Sequence, residues 1–146
     1  MTILAPSVMI ARGLPQDPMI FTLGHELKHH LVDRETGLSF CDVSNENEPI
    51  EIGAEVFAGE LIFPDDDYVA LMTVQGVNRG ACRPEDLVRL KNNTKTTLSY
   101  AGLVKKAVFL EYAKPAAFAN VKWKKLEEQI FGEPFYKKLL RRRSYQ

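Results

Sequence analysis

The sequence predicts a mainly helical α+β fold with a small β element near its N-terminus. Apolar residues recur at three- and four-residue steps through most of the chain, which is the spacing of a buried helix face. Prolines and capping residues then divide the chain into segments of helix length. Residues 7–11, a short apolar run between Pro6 and Gly13, are predicted to form a strand. Residues 37–47 are predicted to form a polar loop, with room for a short strand at residues 38–41.

The first predicted helix covers residues 19–31, with Pro18 in its first turn and a buried stripe that includes Leu23 and Leu27. The second begins at Pro49 and ends before Pro64, because proline has no amide hydrogen and crowds the preceding turn. Further helices are predicted at residues 65–74, 84–91, from the N-cap Ser99 onward, 117–130 and 134–142.

The length of 146 residues and the 45% hydrophobic content are sufficient for one core and too small for two independent ones. We therefore expect a single domain over residues 1–146, with a short N-terminal region and a C-terminal helical part from about residue 99 to residue 146. No repeat or low-complexity linker interrupts this span.

Charge argues against a dedicated nucleic-acid binder, because 19 basic and 19 acidic residues cancel. The distribution is uneven: residues 31–70 contain eleven acidic residues and one basic residue, whereas residues 121–146 contain eight basic residues and three acidic ones. The acidic half can attract a divalent cation or a basic partner. The basic segment 137–143 is expected to be a solvated surface, with direct DNA contact as the less favoured alternative.

The two cysteines, Cys41 and Cys82, are far apart and form no C-x-x-C pair, so neither a disulfide framework nor a cysteine metal site is expected. The N-terminus has no basic segment of a signal peptide, and no apolar run is long enough to span a membrane. We expect a cytoplasmic protein with reduced thiols.

A possible metal site lies on the first predicted helix, where His25, Glu26 and His29 form the pattern H-E-x-x-H. Residues four apart share one helix face, so the two imidazoles can bind the same ion. Glu26 points beside them, where a carboxylate can accept a proton from water that the metal acidifies. This arrangement is typical of zinc hydrolases.

A catalytic zinc ion usually has three protein ligands, so one more donor is required. A third histidine six residues after His29 is excluded, because that position is Glu35. His30 is about 100° further around the helix and is expected to face another direction. The second helix supplies Glu51 and Glu55 on one face, and from spacing alone either can bind the metal while the other orients a ligand.

Two sequence blocks resemble the ImmA/IrrE family of bacterial and phage metallopeptidases. Residues 21–29, FTLGHELKH, are similar to the family pattern F-T-x-A-H-E-x-x-H, and residues 51–64 are similar to E-x-x-A-x-x-F-A-x-x-L-L-x-P. The resemblance implies a zincin-like active-site helix followed by a glutamate-bearing helix. It also implies Zn²⁺ as the cofactor, His25, His29 and Glu51 as its ligands, and Glu26 as the catalytic base.

The sequence departs from the family pattern at three places. Gly53 stands where a second glutamate is frequent, and Lys28 stands where a small glycine is common. Only 24 residues precede His25, whereas family members usually have a longer region that walls the cleft. The cleft is therefore expected to be open or to be completed by a partner.

The family resemblance implies a zinc metalloendopeptidase that cleaves a helix-turn-helix transcriptional repressor of phage, mobile-element or stress genes. The alternative is a non-catalytic, zincin-like domain that binds a repressor or another protein. Glu26 favours catalysis, because a structural zinc site needs no general base. A metal-free helical interaction domain is the third alternative, and it requires both blocks to match by chance.

Overall fold

The computed structural model describes residues 7–34 and 48–144, and within them it contains seven α-helices and no strand. One 3₁₀ turn, Pro115–Phe118, precedes α6. The helices are α1 (Gln16–Val32), α2 (Pro49–Ile62), α3 (Asp65–Val74), α4 (Pro84–Thr94), α5 (Tyr100–Phe109), α6 (Trp123–Phe131) and α7 (Phe135–Ser144). The prediction of a mainly helical fold is confirmed.

The small N-terminal β element is not seen, which corrects the prediction for residues 7–11. These residues have no regular structure, and Met9 is 92% exposed. A strand needs a neighbour to bond its amide and carbonyl groups, and the described residues supply none. The strand predicted at residues 38–41 lies outside the described residues.

The chain divides into two compact units. The first contains Met1–Ala70 with Thr96–Gly102, and the second contains Leu71–Lys95 with Leu103–Gln146. The expectation of a single domain stays a prediction. None of the helices in the described part of the chain has the length and hydropathy of a membrane-spanning segment.

The first unit contains the pair α1 and α2, which pack against each other. Gly24 on α1 faces Ala58 near the end of α2, whereas His25 and His29 face Glu51 near its beginning. The two helices therefore run antiparallel. A β carbon at Gly24 would lie only 3.3 Å from both Cα and Cβ of Ala58, so glycine permits the close approach.

The second unit contains the packed pair α4 and α6. Leu87, Val88 and Leu90 of α4 are fully buried. The segment after α5 is hydrogen-bonded to the segment before α4. The Cys82 amide, before α4, donates to the Tyr112 carbonyl oxygen, after α5, at 3.0 Å. The Arg79 guanidinium also lies 5.2 Å from the centre of the Tyr112 ring, which adds a cation–π contact to this unit.

Most predicted helix limits agree with the structure. α2 ends before Pro64, α3 covers the predicted residues 65–74, and the Ser99 hydroxyl caps α5 by accepting a hydrogen bond from the Gly102 amide at 3.1 Å. The helix predicted at residues 117–130 is wrong in its first half. Asn120 has a positive φ of 59°, which an α-helix cannot accommodate, and α6 begins only at Trp123.

Candidate metal centre

Three predicted ligands converge between α1 and α2. His25 and His29 are one helical turn apart on α1, and Glu51 lies in the first turn of α2. The Nε2 atoms of the two histidines are 3.1 Å apart. Glu51 Oε2 lies 3.0 Å from His25 Nε2, and Glu51 Oε1 lies 3.3 Å from His29 Nε2. The structure therefore brings together the three residues predicted as ligands.

The spacing of these donor atoms fits one small cation. Zinc binds histidine nitrogen and carboxylate oxygen at about 2.0–2.2 Å, and donors at the corners of such a tetrahedron are roughly 3.3–3.5 Å apart. The shortest distances between the three residues, 3.0 to 3.3 Å, are close to that value. Two neutral imidazoles and one carboxylate also match the ligand set of a catalytic zinc, which leaves a fourth position open.

Burial at the centre increases toward His29. The His29 side chain is 4% exposed, the Glu51 side chain 11% and the His25 side chain 17%. No described residue donates a hydrogen bond to the buried Glu51 Oε1 atom. Leaving such an oxygen without a donor costs free energy, whereas a bound cation would satisfy it. The donor set and this buried oxygen both support a metal-binding role for the three residues.

The carboxylate of Asp33, the C-cap residue of α1, contacts the outer nitrogen of His29. The Nδ1–H of His29 donates to Asp33 Oδ2 at 2.8 Å, and the Lys28 ammonium donates to the same oxygen at 2.7 Å. This hydrogen bond leaves the Nε2 lone pair of His29 directed at Glu51 and His25. Ligating histidines generally hold their other nitrogen in this way, which fixes the ring and its tautomer.

The pKa of Asp33 reflects this network. Burial alone raises the pKa of the carboxyl group, because it disfavours the charged form. The hydrogen bonds from Lys28 and His29 and the attraction of their charges outweigh burial, so the pKa lies below its ordinary value. Asp33 is therefore a carboxylate at neutral pH and a constant acceptor for His29.

Three other residues considered from the sequence lie on the same two helices as the candidate ligands. Glu26 is half-buried on α1 next to His25, and its role as the base stays a prediction. His30 is half-buried, and among the described residues it is not part of the group of possible metal ligands formed by His25, His29 and Glu51. Glu55 is exposed on α2, so its orienting role also stays a prediction.

An apolar cavity of about 410 Å³ lies in the same unit, but it does not contain the donors. Its walls include Ile20, Leu23 and Leu27 of α1 and Leu61 of α2. These α1 residues lie on the face roughly opposite His25 and His29, given about 100° of rotation per residue. The cavity is therefore separate from the candidate metal centre.

Comparison with known families agrees with this geometry. The family model of the IrrE N-terminal-like domain, a peptidase family, matches residues 2–77, slightly more than half of the chain. The matched span contains all three donor residues. The chain belongs to this family. No curated protein and no solved structure shows significant similarity to it.

Within this IrrE N-terminal-like chain, sequence reasoning missed Asp33. The spacing could have indicated Asp33, because a residue four places after His29 is expected on the same face of a helix. Spacing on α2 suggests an orienting role for Glu55, whereas the carboxylate that accepts the hydrogen bond from His29 Nδ1 belongs to Asp33, the C-cap residue of α1.

Proposed function

We propose that this IrrE N-terminal-like protein is a zinc-dependent metalloendopeptidase. The observation that carries the proposal is the convergence of His25, His29 and Glu51, whose donor atoms all lie within 4.8 Å of one another. Membership in a peptidase family supports the reaction class. A zinc ion bound there would act as a Lewis acid on the peptide carbonyl and acidify a water molecule.

The protein's own residues then have separate roles. The two histidines would hold the cation as neutral ligands, and the Glu51 carboxylate would cancel part of its charge. Glu26 accepts the proton of the attacking water and transfers it to the leaving amine nitrogen, so that the amine departs uncharged. Asp33 keeps the His29 ring in the ligating tautomer through the hydrogen bond to Nδ1.

The proposed substrate is a helix-turn-helix transcriptional repressor, and the proposed location is the cytoplasm. The family resemblance of the two ligand blocks supports this substrate class. The acidic character of residues 31–70 is also suited to a basic DNA-binding protein.

Zinc content tests the metal site. Purified wild-type protein is expected to hold about one zinc ion per chain, as three converging ligands imply, and His29→Ala and Glu51→Ala should lose most of it. Glu60→Ala, an exposed glutamate on the same helix, is the matched control and should keep the metal. A wild-type chain that holds no zinc when zinc is supplied would rule out the metallopeptidase assignment.

Cleavage tests the base and the substrate together. Cells that express the wild-type protein and cells that express Glu26→Gln are compared for new protein N-termini by mass spectrometry. The wild type is expected to create one or a few new termini within a helix-turn-helix repressor, and Glu26→Gln should create none while retaining zinc. If both proteins hold zinc and neither creates new termini, the non-catalytic alternative replaces the enzyme.

A further inference from the structure

Lys28 lies on α1 between the two histidines, and its side chain is directed at α2. The side chain is only 14% exposed. Its ammonium group lies 2.7 Å from Asp33 Oδ2 and donates a second, longer hydrogen bond of 3.4 Å to the Ile50 carbonyl oxygen. A lysine charge is costly to bury unless it is paired, so these contacts hold the side chain in place.

The surface of α2 leaves room for Lys28. A β carbon at Gly53 would lie 3.4 Å from Lys28 Nζ and 3.6 Å from its Cε, so a large side chain at position 53 would displace the ammonium. Lys28 and Gly53 are also two of the positions at which the sequence departs from the family pattern.

Both contacts of Lys28 lead to the metal ligands. Asp33 Oδ2 accepts hydrogen bonds from Lys28 and from His29 Nδ1, so the lysine holds the carboxylate that orients the His29 ring. Ile50 directly precedes Glu51, so the bond to its carbonyl ties Lys28 to the first turn of α2. One side chain therefore links the position of a histidine ligand to the position of the glutamate ligand.

We propose that Lys28 is a positioning residue that pre-arranges His29 and Glu51 and thereby increases the affinity of the centre for zinc. The proposal rests on the metal-binding function proposed above. The proposal predicts the opposite change in zinc affinity from the one that simple charge repulsion predicts. A nearby ammonium repels a divalent cation, so removing it would tighten binding if charge dominated. If positioning dominates, removing it weakens binding.

The first measurement is the zinc dissociation constant, obtained by competition with a chromophoric chelator. Lys28→Met keeps the length of the side chain over Gly53 and removes its charge and its donors. This variant should bind zinc about tenfold more weakly, and Asp33→Ala should bind it about 10–100-fold more weakly. Lys28→Arg, which keeps charge and donors, should restore affinity to within about threefold of the wild type.

Lys137→Met is the matched control, because Lys137 of α7 also pairs with an acidic residue, Glu128, but belongs to the other unit. Its zinc affinity should equal that of the wild type. Far-ultraviolet circular dichroism checks that each variant keeps its helices.

The second measurement is the tautomer of His29 in metal-free protein, from nitrogen–proton correlation spectra. In the wild type the ring should be predominantly protonated at Nδ1, because Asp33 accepts that proton. Lys28→Met and Asp33→Ala should both shift the ring toward protonation at Nε2, whereas Lys28→Arg should not. This readout reports ring positioning and does not depend on activity or on bound metal.

The outcomes separate the two proposals. Equal or tighter zinc binding by Lys28→Met, together with an unchanged His29 tautomer, would overturn the positioning role while the metallopeptidase function stands. If the wild-type protein holds no zinc, the proposed function fails, and the tautomer measurement alone decides whether Lys28 positions His29.

Discussion

Gly24→Val is expected to destabilise the protein and to weaken its candidate metal centre, because α1 and α2 approach each other closely at Gly24. A β carbon at residue 24 would meet Cα and Cβ of Ala58 at 3.3 Å and Cδ2 of Leu61 at 3.7 Å. The two methyl groups of valine extend beyond that β carbon. They have no space unless the helices separate.

The expected change in the free energy of unfolding follows from two opposing effects. Overpacking at a tight contact costs about 1–3 kcal/mol, whereas valine is about 0.4 kcal/mol more favourable than glycine within a helix. Gly24→Val should therefore lower the free energy of unfolding by about 0.6–2.6 kcal/mol. Gly24→Ala adds only the tight β carbon and gains about 1 kcal/mol of helix propensity, so its net change should remain within about 1 kcal/mol.

Urea unfolding of metal-free protein, followed by circular dichroism, measures the change in stability. Chelator competition measures zinc affinity, which should fall for Gly24→Val because separation of α1 and α2 moves Glu51 away from the histidines. Gly53→Ala is the control, since a β carbon there meets only the flexible end of Lys28 at 3.4 Å or more. If Gly24→Val has the urea midpoint and the zinc affinity of the wild type, the inferred close approach is wrong.

Three further predictions follow from other contacts. At free zinc about 100-fold above the dissociation constant, the wild-type melting temperature should rise by roughly 5–10 °C in calorimetry, and His29→Ala should show no such rise. Asp86→Ala should cost about 1–2 kcal/mol in urea unfolding, because the Asp86 carboxylate accepts the Arg83 amide at the start of α4, at 2.9 Å; Glu85→Ala is the control, and an equal loss there would contradict the cap. Burial and then the Asp86 charge raise the pKa of Cys82 from 9.0 to about 12, so the unfolded chain releases this proton at lower pH than the folded protein and stability falls as pH rises between those values. The difference in unfolding free energy between wild type and Cys82→Ala should therefore shrink from about pH 8 to about pH 10.5, and a constant difference would contradict it.

Helix limits could be predicted wherever one residue decides them locally. Pro64 ends α2, the acidic residues after it begin α3, and Ser99 caps α5, because each effect acts within one helical turn. The absence of a strand at residues 7–11 could not be predicted in this way. The apolar pattern there is compatible with a strand, but a strand depends on hydrogen bonds to a distant segment. The interruption at Asn120 likewise depends on a left-handed backbone that composition does not reveal.

The candidate site was predictable to the extent that it lies on one helix. His25 and His29 share a face because of their spacing, and no tertiary information is needed to place them together. Asp33 was equally accessible by spacing, but spacing cannot tell whether a carboxylate turns toward an imidazole or toward water. In the structure, Asp33 turns toward the imidazole, and the Lys28 ammonium donates to the same Asp33 oxygen.

Spacing alone could not decide between Glu51 and Glu55, because the two residues are one turn apart on the same face of α2. The structure places Glu51 beside the two histidines, and the packing of the two helices explains why. Gly24 and Ala58 bring the helices together at one end of the antiparallel pair, and Glu51 lies toward the other end, level with the histidines. Glu55 lies one turn nearer to Ala58 and is exposed. The position of Glu51 beside the histidines is therefore a consequence of helix packing, so a substitution that shifts α2 along α1 by one turn would place Glu55 beside the histidines in place of Glu51.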